Sequence, residues 1–324
     1  MLYPLKFKPI FKDKIWGGTR LKSLFNKDFS PLPNCGESWE LSGVKENVSV
    51  VENGFLAGNS LQEIIEIYMG ELVGDKVFEL HGNDFPLLVK ILDTSSFLSI
   101  QVHPEDFYAM KHHQSFGKTE MWVVLDAQDD SEIITGFNQD VTKELYLHHL
   151  ENKSLREILN IEKARKGDVY FIPAGRIHAI GAGITLLEIQ QTSDVTYRVF
   201  DWDRKDDEGK YRELHTEKAI EVMDFKKHDQ YKTAYNLIEN QPVELVKCPY
   251  FTTRMLEFSE QKEIDYVFLD SFVILSCIEG NCVLNYSGGI EVIQAGDVVL
   301  LPAEMKSIAL TPQGKCKVIE TYVS

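Results

Sequence analysis

The alternation of apolar and polar residues is clearest at residues 98–104, which read Leu-Ser-Ile-Gln-Val-His-Pro. Ser99, Gln101 and His103 alternate there with aliphatic residues, which is the pattern of a half-buried β-strand. Because side chains two residues apart point to the same face of a strand, Gln101 and His103 are predicted to project into one space. A solvent-facing strand with a structural histidine is an equally good interpretation of this stretch taken alone.

Strand-like segments of this kind make up most of the chain between residues 85 and 202. From residue 231 to the C-terminus, short alternating runs follow one another, separated by turns that contain glycine. Two insertions with helical periodicity interrupt the strands, at about residues 57–80 and 140–161. The overall pattern therefore predicts a mainly β protein with small helical insertions.

The first insertion carries recognisable helix signals. Ser60 is placed to cap a helix N-terminus, and Glu63, three residues later, completes a capping box. Gly70 and Gly74 are expected to break the helical segment into more than one piece, because glycine is a poor helix former. No residue of this insertion suggests chemistry.

An internal repeat indicates how the strands are organised. Gly167–Ala174 (GDVYFIPA) matches Gly296–Ala303 (GDVVLLPA) at the glycine, aspartate, proline and alanine. Each copy predicts a Gly-Asp turn, a buried strand, and a proline that ends strand pairing. Two related antiparallel β-barrels or sandwiches are the simplest architecture. Beyond the proline the copies differ, since His178 in the first corresponds to Ser307 in the second.

Four polar residues of the first repeat are candidates for one metal site: Gln101, His103, Glu120 and His178. Two imidazoles, a carboxylate and an amide oxygen suit zinc, with a position left open for water or substrate. The same donors also serve iron(II), manganese or nickel. Because the second repeat lacks such residues, we expect one functional barrel and one structural barrel.

Cationic residues form a second group. Lys90, Lys118 and Arg198 lie in or beside segments predicted for the first barrel, and Lys118 precedes Glu120 by two residues. Cations near a metal in an acidic protein suggest an anionic substrate, for which phosphate is the commonest match. Glu188 and Arg198 are a further candidate pair for acid–base work and charge stabilisation, with ordinary surface ion pairing as the alternative.

Composition narrows the range of partners. The 324 residues are 44% hydrophobic and 26% charged, which is ordinary for a globular protein. The formal net charge of −16 argues against binding to nucleic acid or to an anionic membrane surface. The sequence has no apolar run long enough for a secretory signal or a membrane span. Its five scattered cysteines are expected to be reduced thiols, as in a cytoplasmic protein.

Several ordered motifs resemble one family, the type I, zinc-dependent, cupin-fold mannose-6-phosphate isomerases, and in particular their short bacterial form. The motifs are FPLLVKILDTSSFLSIQVHPED, GKTEMWVVLDA, GDVYFIPAGRIHAIG and LLEIQQTSDVTYRVFDWD. The resemblance implies two cupin-type antiparallel β-barrels or jelly rolls. Residues 1–235 would form the catalytic cupin domain with both helical insertions, and residues 236–324 a metal-free cupin domain.

The resemblance also implies roles for individual residues. One zinc ion per chain, or another divalent metal, would be held by Gln101, His103, Glu120 and His178. Arg198 matches the catalytic arginine of the family and Glu188 its active-site glutamate. The positions that match polar pocket residues or the pocket wall are Trp16, Glu37, Lys90, Ser99 and Lys118. Lys118, Glu188 and a metal-bound water are all left open as the group that transfers a proton.

The function implied is the reversible interconversion of mannose 6-phosphate and fructose 6-phosphate through a cis-enediol. A metal-dependent cupin oxygenase is one alternative, although it would not need Lys90, Lys118 and Arg198 together. A non-catalytic sugar-phosphate-binding cupin is the other, although it would have little use for a Lewis acid. The expected partner is a sugar phosphate, with no nucleic acid and no membrane, and the expected state is a monomer or weak homodimer.

Overall fold

β-strands make up most of the regular structure in the computed structural model, which describes residues 1–205 and 208–323. In that part of the chain the strands are Leu5–Lys6 (β1), Ile10–Lys12 (β2), Glu37–Leu41 (β3), Leu87–Asp93 (β4), Ile100–Val102 (β5), Glu120–Ala127 (β6), Glu132–Phe137 (β7), Leu159–Lys163 (β8), Val169–Ile172 (β9), His178–Ile180 (β10), Ile184–Gln191 (β11), Tyr197–Phe200 (β12), Pro242–Lys247 (β13), Thr252–Phe258 (β14), Lys262–Asp265 (β15), Val273–Glu279 (β16), Asn281–Tyr286 (β17), Gly289–Gln294 (β18), Val298–Leu301 (β19), Ser307–Pro312 (β20) and Cys316–Tyr322 (β21). The helices are Arg20–Phe25 (α1), Leu61–Val73 (α2), Asp75–His81 (α3), Asp106–His113 (α4), Lys143–Glu151 (α5) and Thr216–Val222 (α6).

The chain divides into two compact units. The first, here called the histidine-bearing unit, consists of Phe11–Ser38 and Lys90–Thr233. The second, here called the terminal unit, consists of Met1–Ile10, Trp39–Val89 and Ala234–Ser324. These units are defined by how compactly the chain packs. The boundary near residue 235 separates a catalytic domain from a metal-free domain, and it stays a prediction.

The histidine-bearing unit contains two β-sheets. Each strand of the six-stranded sheet β2-β3-β4-β11-β6-β9 contributes residues to this unit, and the five-stranded sheet has the order β12-β5-β10-β7-β8. The pairings among β5 to β12 are antiparallel. Buried apolar side chains from both sheets pack together, among them Trp122, Ile133 and Leu186. The polar faces of β5, β6, β10 and β11 are therefore held on a well-packed scaffold.

The terminal unit also contains two antiparallel sheets, ordered β1-β19-β16-β21-β14-β13 and β15-β20-β17-β18. We call strands β13 to β21 the C-terminal sandwich. Its core contains side chains from both sheets, for example Phe258, Leu284 and Val318. The mainly β architecture predicted from the alternation of residues is confirmed in both units.

The first helical insertion folds as its signals predict. Ser60 caps α2, and both hydrogen bonds of the capping box with Glu63 are formed. Such a cap is worth about 1 kcal/mol. The helical segment is interrupted at Met69, which has a φ of 47°, and ends at Gly74, where α3 begins. The expected break is therefore present.

The second insertion is shorter than predicted. Helix α5 ends at Glu151, and Lys153 adopts a left-handed conformation with a φ of 56°. The prediction of helix is wrong from Leu159 onward, because residues 159–163 form β8 and pair with β7. A short apolar segment looks alike in either state, and here pairing with a neighbouring strand decides it.

The internal repeat is reproduced in three dimensions. Gly167 and Gly296 both have positive φ, 91° and 94°, at the turn before β9 and β19. The Gly167 N–H donates to the carbonyl of Val124 in β6, and the Gly296 N–H donates to the carbonyl of Cys277 in β16. Residue 124 of β6 is therefore equivalent to residue 277 of β16, which sets the register for comparing the two units.

Two further expectations concern thiols and membranes. All five cysteines are free thiols, and four of them are buried. Within residues 1–205 and 208–323, no helix combines the length and the apolarity needed to cross a bilayer.

Candidate metal centre

Strand register places three predicted site residues in one row. Gln101 of β5 lies directly opposite His178 of β10 on one side and opposite Arg198 of β12 on the other. Directly opposed residues of antiparallel strands point to the same face of the sheet. The aliphatic neighbours Ile100 and Val102 point to the other face and are fully buried in a separate core. The polar face of β5 is therefore directed into a site.

The donor atoms of the predicted metal ligands converge. His103 Nε2 lies 3.7 Å from Glu120 Oε2, and His178 Nε2 lies 3.4 Å from Glu120 Oε1. Gln101 completes the group, because its amide nitrogen is 3.2 Å from His178 Nε2. The oxygen and nitrogen of an amide are interchangeable by a rotation, so the same position can present the Gln101 oxygen.

Main-chain carbonyls set the orientation of both imidazoles. His103 Nδ1 is 2.9 Å from the carbonyl of Val195, and His178 Nδ1 is 2.8 Å from the carbonyl of Arg176. A neutral imidazole that donates from Nδ1 has an unprotonated Nε2. Both Nε2 lone pairs therefore face the Glu120 carboxylate, an arrangement typical of metal-ligating histidines.

The three residues fit a divalent metal ion. His103, Glu120 and His178 are 2%, 1% and 0% exposed, and their donor atoms all lie within 4.8 Å of one another. His103 Nε2 and Glu120 Oε1 are buried without a hydrogen-bond partner, which is costly unless a ligand satisfies them. Ligands bound tetrahedrally at about 2.1 Å are about 3.4 Å apart, close to the separations observed here.

Burial disfavours the charged forms of the protein groups at this centre. Removal from water lowers the pKa of His103 well below its usual value and lowers the pKa of His178 to about 4. Burial, with a contribution from the nearby Glu188 carboxylate, raises the pKa of Glu120 well above its usual value. A cation at the centre would reverse the penalty on the Glu120 carboxylate.

A buried ion pair lies on the strands next to the centre. Lys90 Nζ donates to Glu188 Oε1 at 2.9 Å and to Gln190 Oε1 at 2.6 Å. The indole N–H of Trp122 donates to the other Glu188 oxygen at 3.0 Å. Burial by itself lowers the pKa of Lys90, but the carboxylates of Glu188, Glu37 and Glu120 together outweigh it and the pKa is raised. The Lys90 ammonium is therefore held in a fixed position by Glu188 and Gln190.

Lys118 has a different environment from Lys90. It is 5% exposed, and its Nζ donates to the hydroxyl of Thr196 at 3.3 Å. Burial, with the repulsion of Lys90, lowers the pKa of Lys118 to about 8. At this pKa, Lys118 exchanges between ammonium and amine close to neutral pH.

Arg198 is not paired with Glu188, although the sequence suggested that the two could work together. Its guanidinium donates to the main-chain carbonyl of Glu213 at 2.8 Å, and its Nε is buried without a partner. Burial lowers the pKa of Arg198, as expected for a cation partly removed from water. The side chain shares the face of Gln101 and His178, as the strand register requires.

The remaining predicted pocket residues are also located. Ser99 is buried, and its hydroxyl is 3.5 Å from Gln101 Oε1. Glu37 forms an ion pair with Lys14 at 3.3 Å. Trp16 is 4% exposed and packs against the apolar cluster that contains Trp122.

Comparison with known proteins places this chain. Residues 4–121 match the family described as phosphomannose isomerase type I, catalytic domain, and residues 242–323 match mannose-6-phosphate isomerase, cupin domain. The mannose-6-phosphate isomerase ManA of Bacillus subtilis is 39% identical over 319 residues, which covers 97% of each chain. The chain belongs to the type I phosphomannose isomerase family. A Streptococcus mutans mannose-6-phosphate isomerase is 35% identical over 95% of each chain.

Solved structures agree with this membership. The crystal structure of mannose 6-phosphate isomerase from Bacillus subtilis superposes with a TM-score of 0.89 at 33% identity and covers 99% of both chains. A putative mannosephosphate isomerase from Archaeoglobus fulgidus has a TM-score of 0.79 at 23% identity, which shows the shared fold. The cupin fold of this phosphomannose isomerase family member is thereby confirmed.

Some residues of the centre were missed by sequence reasoning. Gln190 holds Lys90, Trp122 holds Glu188, and the carbonyl of Val195 holds His103. A signal for Gln190 was present, since Glu188 and Gln190 lie two residues apart in β11 and alternate with the aliphatic residues Leu187 and Ile189. The same reasoning identified Gln101 and His103. The role of a main-chain carbonyl leaves no trace in residue type.

Proposed function

We propose that this protein catalyses the reversible interconversion of mannose 6-phosphate and fructose 6-phosphate through a cis-enediol. The observation that carries the proposal is the convergence of His103, Glu120 and His178 beside a buried lysine, Lys118, in a member of the phosphomannose isomerase family. Family membership does not favour the oxygenase or the sensor as alternatives.

For the metal we propose one zinc ion per chain, held by Gln101, His103, Glu120 and His178. Two imidazoles, a carboxylate and an amide oxygen are donors that zinc accepts, although manganese, iron or nickel would also bind them. When bound, the ion supplies Lewis-acid stabilisation of the negative charge that develops on the sugar O1 or O2, worth several kcal/mol.

Lys118 is our candidate for moving the proton between C1 and C2. Both Glu188 oxygens already accept hydrogen bonds, from Lys90 and Trp122, so that carboxylate is less free to act as a base. Lys118 is held through the hydroxyl of Thr196, and its pKa of about 8 lies near the operating pH of a general base.

Arg198 would stabilise negative charge without giving up its proton. A guanidinium stays protonated throughout the accessible pH range, so it contributes a fixed positive charge. The pairing of Arg198 with Gln101 on neighbouring strands supports this role, because directly opposed residues point to the same face of a sheet. Lys90, fixed by Glu188, adds a second positive charge suited to an anionic sugar phosphate.

The other predictions complete the proposal. Ser99 would orient the Gln101 amide, while Glu37 and Trp16 would contribute to the pocket wall. Residues 1–235 would form the catalytic domain and residues 236–324 a metal-free cupin domain. We propose a monomer or weak homodimer that acts in the cytoplasm.

The test is a coupled isomerase assay on purified protein with several hexose 6-phosphates, with metal content measured on the same sample. We expect turnover of mannose 6-phosphate, loss of turnover after treatment with a chelator, and recovery when zinc is restored. Full activity in chelator-treated protein that contains no metal would overturn the metal assignment. Turnover of another hexose 6-phosphate in preference to mannose 6-phosphate would overturn the substrate assignment.

A further inference from the structure

A cavity of about 440 Å³ opens into the C-terminal sandwich, well away in sequence from the predicted metal ligands. Apolar side chains line part of its wall, including Leu256, Leu275 and Val318. A set of polar groups lies among them, formed by Arg254, Tyr266, Glu320 and Tyr322. Cavities of this size that combine apolar walls with a few convergent polar groups are typical of small-molecule sites.

Glu320 is the central polar group of this cavity. It lies on the same face of β21 as Val318, which is part of the apolar core of the sandwich, and its side chain is 9% exposed. The hydroxyl of Tyr266 donates to Glu320 Oε1 at 2.6 Å. A carboxylate inside an apolar core is costly, so its retention there needs a reason beyond packing.

Arg254 approaches Glu320 without forming a close hydrogen bond. The two residues are directly opposed on β14 and β21, and Arg254 Nη1 lies 3.7 Å from Glu320 Oε2. This separation is longer than a hydrogen bond. The guanidinium lies over the ring of Tyr322, 5.2 Å from its centroid. An acceptor oxygen and a set of donor N–H groups are thus held side by side at the cavity.

The internal repeat explains why this site is open. Glu320 is paired with Leu275 of β16, and its equivalent in the histidine-bearing unit, Glu188, is paired with Trp122 of β6. There the Trp122 indole fills the space beside the carboxylate and donates to its second oxygen. Leucine is smaller than tryptophan and has no N–H. The exchange leaves both volume and a carboxylate oxygen available in the C-terminal sandwich.

The same register shows which of the predicted metal ligands have no counterpart in the C-terminal sandwich. Glu120 corresponds to Val273, and His178 corresponds to Ser307, so two of the predicted ligand types are replaced. The carboxylate and a neighbouring cation are nevertheless retained, as Glu320 with Arg254 in place of Glu188 with Lys90. Such a site can bind a ligand without a Lewis acid to transform it.

We propose that this cavity binds a neutral polyol of monosaccharide size. The Glu320 carboxylate and the Arg254 guanidinium would accept from and donate to neighbouring hydroxyl groups, and the apolar walls would contact the C–H face of the sugar. Charges of both signs border the cavity, since Lys262, Glu263 and Asp265 all belong to its lining. This mixture of charges does not favour an anionic ligand over a neutral one. This inference does not depend on the activity proposed above.

The experiment is a titration of the full-length protein with D-mannose, D-fructose and D-mannitol. Ligand-observed NMR detects the binding of each polyol and measures its affinity. Glu320→Gln and Arg254→Met are expected to weaken binding about tenfold, equivalent to about 1.4 kcal/mol. Leu275→Trp, which restores the larger side chain of the other unit, is expected to abolish it. The exposed Glu260 supplies a matched control in Glu260→Gln, which should bind as the wild type does.

Binding at the metal centre is distinguished by His178→Ala. We expect the neutral polyol to bind this variant normally, because His178 belongs to the other unit. Binding that is lost in His178→Ala but kept in Leu275→Trp would overturn the proposal, as would the failure of all three polyols to bind at millimolar concentrations. Arg254 is 42% exposed, so Arg254→Met remains a usable variant if a core substitution impairs folding.

Discussion

Lys90 and Glu188 form an ion pair in which Nζ and Oε1 are 2.9 Å apart, and both side chains are less than a tenth exposed. Gln190 accepts a second hydrogen bond from the Lys90 ammonium, and the Trp122 indole donates to the Glu188 carboxylate. The pair is therefore compensated by polar groups on both sides. Removal of either charge would leave the other buried without this ion-pair partner.

We expect Lys90→Met and Glu188→Gln each to lower the free energy of unfolding by about 3–5 kcal/mol, as for other broken buried ion pairs. The double variant should lose less than the sum of the two single losses, because neither of the two buried charges then remains. Urea unfolding of the four proteins measures this double-mutant cycle. Strictly additive losses would show that the two charges do not interact.

His178→Ala is expected to lose bound metal and, with it, isomerase activity. The substitution removes one of the two Nε2 donors that face Glu120. Metal analysis of the purified variant is the measurement, and His112→Ala, at an exposed histidine of α4, is the matched control. Normal metal content in His178→Ala would exclude this histidine from the ligand set.

Arg198→Ala should separate catalysis from metal binding. Loss of its fixed positive charge is expected to lower kcat by about 10²-fold or more while metal content stays normal. The exposed Arg165 supplies a control in Arg165→Ala, which should leave both quantities unchanged. Near-normal turnover in Arg198→Ala would mean that the arginine has no part in the reaction.

The pH dependence of the reaction tests Lys118. A lysine acts as a base only when deprotonated, so kcat/KM should rise with pH toward a plateau above its pKa of about 8. Lys118→Met is expected to lower kcat by about 10²–10⁴-fold and to remove this rise. If Lys118→Met keeps the wild-type pH profile, the base is another group.

The metal-free protein should lose stability in mild acid because of His178. Its pKa is about 4 when folded, compared with about 6.5 in the unfolded chain, so the unfolded state binds more protons between these values. The free energy of unfolding should therefore fall as the pH is lowered from about 6.5 to about 4. His178→Gln should show a smaller fall in urea unfolding of chelator-treated protein, whereas an equal fall would exclude His178 as the cause.

Much of the fold was readable from local sequence. The alternation at Ser99, Gln101 and His103 gave a strand with one polar face, and Ser60 with Glu63 located the start of a helix. In contrast, residues 159–163 were misread, because their state is decided by pairing with β7. Local sequence patterns indicate a preference for helix or strand, and pairing with a strand that is distant in sequence can override that preference.

The site was predictable as a set of residues, whereas its internal contacts were not. The repeat and the residue types are enough to predict that Gln101, His103, Glu120 and His178 form one site. The partner of Glu188 could not be deduced in this way, since the sequence suggested the nearby Arg198, whereas the true partner, Lys90, is 98 residues away along the chain. Only the hydrogen bonds of the folded chain assign Lys90 to Glu188 and leave Arg198 with a main-chain carbonyl.

The two imidazoles accept their orientation from the carbonyls of Val195 and Arg176, and this has a consequence for how the family member can evolve. A side-chain acceptor can be deleted by a single substitution, but a main-chain carbonyl is present whatever residue occupies the position. Replacing the side chain at residue 195 or 176 is therefore expected to leave the tautomer of each histidine unchanged. Only insertions, deletions or prolines that redirect the backbone there would disturb it.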